Sequence, residues 1–328
     1  MHRKADEGGI PGRMSTEQNA ARCVPGRREA RRDLGSTALK CELDQKGFDV
    51  MFTLAPTLPL RNGADIPVLG MGTSPLVGGE SVRQVRTALE AGYRLIDTAE
   101  NYRNEDAVGK AIRESGIDRS EVFITTKFNR RWHSNDGVRE AYGASLQRLG
   151  VDYIDLMLVH WPNPDQDRYV DAVRGLQAIL DDGGLRAIGT SNFKPAHLQR
   201  VQEETGIIPD VNQIQLSPYS TRSDAREYHS EHDIVTESWS PLGASSDALR
   251  NDPLITSIAN DHGKSPTQIV LRWHVQLGLV VIPRSSHSGR MAENIDIFDF
   301  ELTEEEMSKI SSLDRGESVV TDSDQFGH

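Results

Sequence analysis

The sequence predicts an α/β chain folded as a (β/α)8 TIM barrel with an N-terminal hairpin over the barrel floor. Three observations carry this. From residue 66 onward, short apolar runs alternate eight times with amphipathic helical patterns, within about 250 residues. The runs are apolar on both faces, as parallel strands covered by helices must be. Glycines close the helical patterns at Gly92, Gly116, Gly150, Gly183, Gly206, Gly263 and Gly278, where a left-handed residue ends the last turn. A doubly wound open sheet is the alternative, but "GMGTSPLVGG" after the first run is a poor match to G-x-G-x-x-G.

In chain order, "LPLRNG" reads as half of a hairpin closing the barrel floor. "IPVLGMG" is the first strand and "SVRQVRTALEAG" its helix. "RLIDTA" and "NEDAVGKAIRESG" follow, then "EVFITTK" and "DGVREAYGASLQRLG", then "YIDLMLVHW" and "RYVDAVRGLQAILDDG". "AIGTSN" precedes "KPAHLQRVQEETG", and "VNQIQ" precedes "RSDAREYHSEHD". "IVTESWS" leads to two helical patterns, "DPLITSIANDHG" and "SPTQIVLRWHVQLG". "LVVIPRS" leads to "GRMAENIDIF", and "TEEEMSKISSLD" adds a last helix.

Composition bounds what such a chain does. It has 328 residues, 37% hydrophobic and 26% charged, ample for one large core. A formal net charge of −12 disfavours nucleic acid and anionic membranes as partners. No apolar run approaches the roughly 20 residues of a membrane span. The two cysteines, Cys23 and Cys41, both fall in the first fifty residues, so neither a disulfide framework nor a thiolate metal site holds the rest. That suits a reducing cytoplasm.

Residues 1–50 stand apart, with ten Lys/Arg against eight Asp/Glu and little apolar periodicity; the remainder then carries −12 − 2 = −14. No apolar stretch follows Arg27-Arg28 or Arg31-Arg32, as a twin-arginine signal needs, and an organelle transit peptide is poor in acids. The segment is expected to be a disordered extension, or an upstream start with Met51 nearer the true beginning. Residues 51–328 are expected to form a single barrel domain.

Active sites of such barrels lie at the C-terminal ends of the strands. Here those ends carry Asp97 with Tyr102 just beyond, Lys127, His160, Ser191-Asn192, Gln213, Trp239-Ser240 and Arg284-Ser285. Singly, each has an ordinary explanation as a helix cap, a solvent-reaching lysine or a hydrogen-bonded core histidine. Together they say more, because a buried Asp and Lys must be paired to stay charged. A phenol is a poor acid at neutral pH, and a nearby ammonium is expected to lower its pKa. Asp97, Lys127 and Tyr102 would then form a tuned proton donor, with His160 orienting the same substrate oxygen. This suits protonation of an oxygen becoming an alkoxide. The accompanying hydride needs a cofactor, since no side chain supplies one.

"GYRLIDTAENYRNE", "FITTK", "DLMLVHWP", "IGTSNF", "VNQIQLSPY", "SWSPLG" and "VIPRSSHSGRMAENIDIFDFELTEEEM", in that order, are together very specific. On them the chain resembles the aldo-keto reductases over roughly residues 58–315, and is similar to bacterial members including the diketogluconate reductases. The resemblance implies an NADPH-dependent reductase of aldehydes or ketones, monomeric and cytoplasmic, whose partner is a small-molecule carbonyl rather than nucleic acid or membrane. It implies a catalytic tetrad at Asp97, Tyr102, Lys127 and His160. It implies cofactor contacts at Gly72, Thr73 and Asp97, nicotinamide-amide contacts at Ser191, Asn192 and Gln213, and ring stacking by Trp239, where the family has Tyr. Ser240 and Leu242 would lie along the pyrophosphate. Arg284 and Ser285, where the family commonly has Lys-Ser, would act with Arg290 on the distal phosphate, and Glu293 and Asn294 would hold the adenine. Arg for Lys keeps the charge and adds a fork suited to phosphate. Trp132 and Trp161 are the substrate-pocket candidates, although Trp132 falls later than in the family's Lys-x-Trp pattern. The short tail "GESVVTDSDQFGH" is expected to leave the pocket more open than in many animal members.

His229 and His232 in "EYHSEHD", three apart among acids, suggest a metal site, but an outer helix makes a solvated face the better reading. Two other function classes compete with the reductase. One is a nicotinamide-nucleotide-binding sensor or assembly subunit with little turnover. The other is a barrel hydrolase using Asp97 and a second carboxylate, which the neighbouring lysine and tyrosine fit poorly.

Overall fold

The computed structural model describes residues 54–243 and 247–328; the extension at 1–50 lies outside the described residues. Strands β1 (Thr57–Pro59) and β2 (Asp65–Pro67) pair antiparallel, with Leu58 opposite Ile66. Eight further strands follow: β3 (Met71–Gly72), β4 (Leu95–Asp97), β5 (Phe123–Phe128), β6 (Ile154–Val159), β7 (Leu185–Ser191), β8 (Val211–Gln215), β9 (Val235–Trp239) and β10 (Val280–Ile282). Each is hydrogen-bonded in parallel to the next in sequence order. The last meets the first: Leu69 bridges Val281, Gly70 N donates to Val281 O at 2.9 Å, and Gly72 N donates to Pro283 O at 3.2 Å. The barrel closes, as eight βα units predict.

"IPVLGMG" is not one strand. Ile66 and Pro67 belong to the hairpin, residues 68–70 bond to Val281 of β10, and Met71–Gly72 pairs with β4.

The outer layer contains α1 (Gly78–Glu90), α2 (Glu105–Ser115), α3 (Asn135–Leu149), α4 (Tyr169–Asp181), α5 (Pro195–Thr205), α6 (Ser223–Glu231), α7 (Pro253–His262), α8 (Pro266–Gln276), α9 (Ser288–Ile295) and α10 (Glu304–Ser311). All seven punctuating glycines have positive φ, from 62° to 100°. Ser265 and Thr303 open α8 and α10 with reciprocal capping boxes. Where α2 meets α3, a Cβ on Gly109 would sit 1.7 Å from Leu149 O, so only glycine allows that approach.

Strands β5 and β6 are buried along their whole length, and the main apolar cluster joins the barrel interior to the inner helix faces. At the N-terminal rim the hairpin is tied down by Asn62, whose backbone N and Nδ2 donate to Asp210 at 2.9 and 2.7 Å. Position 229 departs from the solvated face expected of it. His229 is fully buried beneath α6, contacting Asn212 Nδ2 at 2.9 Å and Thr236 Oγ1 at 2.8 Å. Its burial lowers the ring's pKa to about 3, so it is a neutral core hydrogen-bonding group. His232 instead stacks on Tyr228.

Candidate active site

The C-terminal rim opens into a cavity of about 620 Å³ whose wall includes Asp97, Tyr102, His160, Trp161, Ser191, Asn192, Gln213 and Trp239. Parallel register explains the convergence. Asp97 ends β4, Lys127 lies near the end of β5, and His160 follows β6, so consecutive strands deliver them to one rim. Tyr102 closes the 3-10 turn Glu100–Tyr102, and Arg103 in the left-handed region then turns the chain into α2.

Lys127 is completely buried. Its ammonium donates to both Asp97 oxygens at 2.7 Å and to Thr98 O at 2.9 Å. The same nitrogen lies 5.2 Å from the Tyr102 ring centre. Burial opposes the ammonium, but the pairing with Asp97 wins and the Lys127 pKa is raised. Burial also raises the Tyr102 pKa, outweighing the opposing pull of Lys127. The sequence-based expectation of a lowered phenol pKa is thus corrected: desolvation of the phenolate costs more than the lysine recovers, and Tyr102 holds its proton. The rings of His160 and Tyr102 meet edge to face at 6.0 Å. Burial, then Lys127 and His328, hold His160 well below its ordinary pKa, so its ring is neutral, and Nδ1 has no hydrogen-bond partner.

Other predicted residues meet at the same cavity with their bonds partly committed. Gln213 Nε2 donates to Asp97 at 2.8 Å and to Glu237 at 3.0 Å, leaving Oε1 as its open acceptor. Asn192 Nδ2 donates to His160 O at 3.1 Å, and its Oδ1 accepts from Trp239 Nε1 at 2.9 Å, which fixes the indole at the wall. Asn192 and Ser240 both adopt left-handed backbone, turning their loops at the rim. Gly72, Ser240, Leu242, Arg284, Ser285 and Arg290 also line the cavity. A second groove shares Leu242, Arg284, Ser285 and Arg290 and extends the path to Glu293 and Asn294. Thr73 is packed beneath, its hydroxyl donating to Asp97 O at 2.9 Å, and is not among the lining residues.

One expectation about the substrate end is corrected. Trp161 lines the cavity, but Trp132 does not: its Nε1 donates to the Glu100 carboxylate at 3.1 Å from the turn Arg130–Trp132. The short tail lies against the cavity wall, with His328 among the lining residues. Lys194 donates to Asp322 and Asp324 at 2.6 Å, Phe326 packs edge-on against Trp161 at 4.8 Å, and the His328 ring lies 4.8 Å from His160. His328 Nε2 also meets the side chain of Asn101. Few residues suffice because the ion pairs anchor the segment beside the rim.

Glu237 was not singled out from the sequence. The signal was there: an acid inside the otherwise apolar strand pattern "IVTESWS", two residues before the rim. Its carboxyl is fully buried, and burial, then Asp97, push its pKa up to about 8.

The arrangement suits a dinucleotide in chemistry. Arg284 and Arg290 are exposed, and neither has a carboxylate partner within 4.0 Å among the described residues. Exposed cations without a carboxylate partner along this groove fit phosphate.

Comparison with known proteins agrees. Residues 68–315 match the model of the aldo/keto reductase family. The chain is 44% identical over 261 residues to 2,5-diketo-D-gluconic acid reductase B of a Corynebacterium species, covering 80% of this chain and 94% of that one. It is 43% identical over 270 residues to methylglyoxal reductase DkgA of Escherichia coli K12, covering 82% and 98%. Among solved structures, a Bombyx mori aldo-keto reductase in complex with NADP aligns with a TM-score of 0.78 at 35% identity, covering 83% of this chain and 97% of that one.

Proposed function

The chain belongs to the aldo/keto reductase family, and from that premise we propose that it reduces small aldehydes or ketones to alcohols with NADPH, with Tyr102 as proton donor. The observation that carries this reading is the buried Lys127, held by both oxygens of Asp97 and facing the Tyr102 ring at the cavity wall. NADPH, when bound, supplies the hydride. Tyr102 gives its proton to the carbonyl oxygen as negative charge develops there. Lys127, kept charged by Asp97, stabilises the phenolate left behind. The neutral His160 ring donates a hydrogen bond that orients the substrate oxygen.

On this reading Ser191, Asn192 and Gln213 meet the nicotinamide amide, and Trp239 packs on its ring. Ser240, Leu242, Arg284, Ser285 and Arg290 hold the phosphates, with backbone N–H groups at the start of α9 adding to the same anion site. Trp161 and the tail shape the substrate end. The two curated relatives are named for small polar carbonyl compounds, and we extend that class to this chain, acting as a cytoplasmic monomer. A sensor with little turnover is not favoured, because Asp97, Tyr102, Lys127 and His160 lie together at one rim, as the proposed proton transfer needs.

Turnover is read as loss of NADPH absorbance with a generic aldehyde. Tyr102→Phe keeps the ring and removes the transferable proton, so turnover falls by roughly 10²–10⁴-fold. NADPH binding, followed by quenching of tryptophan fluorescence, stays within about threefold of the wild type. Turnover within a few-fold of the wild type removes Tyr102 from the role.

A further inference from the structure

Two carboxylates share one amide at the bottom of the site. Gln213 Nε2 donates to Asp97 Oδ2 at 2.8 Å and to Glu237 Oε2 at 3.0 Å, while Glu237 Oε1 is buried with no hydrogen-bond partner. Gln213 and Glu237 are direct neighbours across β8 and β9, and Val280 on β10 is the neighbour on the other side. The charged and titratable groups facing Glu237 are Asp97 from β4, Lys127 from β5 and Tyr102 from the turn after β4. An ionised Glu237 would put two carboxylates against one ammonium, with Glu237 and Lys127 themselves fully buried. A protonated Glu237 leaves the cluster neutral.

From this geometry we propose that Glu237 is a positioning residue which, with Gln213 and Asp97, sets how readily Tyr102 parts with its proton. The proposal builds on the reading of Tyr102 as proton donor. Below about pH 8 Glu237 is a neutral acid and the cluster is balanced. As pH rises through that value Glu237 ionises, and its negative charge opposes formation of the nearby phenolate. Tyr102 thus keeps its proton to higher pH than Lys127 alone would allow. Gln213 is aligned by the same contacts, because both carboxylates draw its NH2 group and its Oε1 must face away.

The test uses the full chain without cofactor. Tyr102 ionisation is followed by tyrosinate absorbance, isolated by subtracting the Tyr102→Phe titration. Glu237→Gln preserves shape and removes the ionisation, so tyrosinate forms about one pH unit lower than in the wild type. A merely structural Glu237 leaves that titration in place; an unchanged or upward-shifted midpoint overturns the proposal. Infrared spectroscopy of the wild type gives a second measure that needs no variant to fold. A carboxylic acid carbonyl band is present at pH 7 and disappears with a midpoint near 8; absence of the band at pH 7 overturns the proposal. Neither measurement uses turnover. If Tyr102→Phe keeps its activity while the tyrosinate midpoint shifts, the functional reading fails and this inference stands.

Discussion

The two ends of the barrel use buried carboxylates in opposite ways. At the floor, Asp155 accepts from Arg119 at 2.6 Å, Arg186 at 2.7 Å and Ile124 N at 2.9 Å. Asp210 accepts from Asn62 N and Nδ2 at 2.9 and 2.7 Å and from Ile188 N at 2.9 Å. Every oxygen of both has a donor. At the mouth, Asp97 is committed to Lys127, but Glu237 Oε1, His160 Nδ1 and Trp161 Nε1 have none. Both ends have strands of the same sheet and the same closed interior. The floor uses its polar groups to hold the hairpin and strand starts in place. The mouth keeps hydrogen-bonding capacity unspent, which costs stability and leaves donors and acceptors for a ligand.

Breaking the floor should separate these roles most sharply. Asp155→Ala strands Arg119 and Arg186 and should destabilise the fold by about 3 kcal/mol, the lower end for a broken buried pair because both arginines are partly exposed. Urea unfolding should show that loss while kcat/KM for a generic aldehyde stays within about twofold, the reverse of Tyr102→Phe. A large fall in kcat/KM at unchanged stability would erase the distinction between the rims.

The mouth should instead betray itself through pH. The Glu237 pKa is raised from 4.5 to about 8 in the folded chain. A raised pKa contributes stability that is fully present below the unfolded value of 4.5 and is lost as pH rises through 8. Between those limits the loss approaches about 1.4 kcal/mol per pH unit. Glu237→Gln should remove that slope from unfolding free energies measured at pH 5, 7 and 9. Buried histidines act in the other direction. His133 and His274 are lowered to about 4, chiefly by burial, so their stability contribution is complete above 6.5 and falls away below it. The acid limb should therefore survive in Glu237→Gln while the alkaline limb flattens; a wild-type slope retained in the variant contradicts a protonated Glu237.

The smallest expected effect is at the outer edge of the mouth. Losing one charge-assisted bond costs about 1.5–3 kcal/mol, so Arg290→Ala should weaken NADPH roughly ten- to a hundredfold. NADH lacks the adenine-ribose phosphate and should change little. Fluorescence titration with both cofactors checks this, and equal losses would mean that Arg290 does not read that phosphate.

Much of this was legible before any coordinates. Asp97, Lys127 and His160 could be placed because they sit where apolar runs end, and in a parallel barrel all strands end on one rim. The seven glycines marked helix ends because their backbone conformation is one other residues rarely adopt. Glu237 and His229 were missed for one physical reason: their burial depends on which neighbours face them. An acid in a strand pattern and a histidine on an outer helix look alike whether they meet water or the core. The tail's contacts were hidden similarly, since its length did not reveal that Lys194 would clasp Asp322 and Asp324 and bring Phe326 onto Trp161.

The sequence by itself determined the eightfold strand–helix order, the closing hairpin, the rim on which polar and ionisable side chains collect and the family to which those motifs belong. These follow from local periodicity and residue type, which neighbouring residues largely decide. Only the tertiary structure decided protonation: the Tyr102 pKa is raised rather than lowered, the His160 ring is neutral, and the Glu237 pKa is pushed up to about 8. A charge's energy depends on what surrounds it in three dimensions. The groups that set it here come from β4, β5, β8 and β9, brought within hydrogen-bonding distance only when the barrel closes.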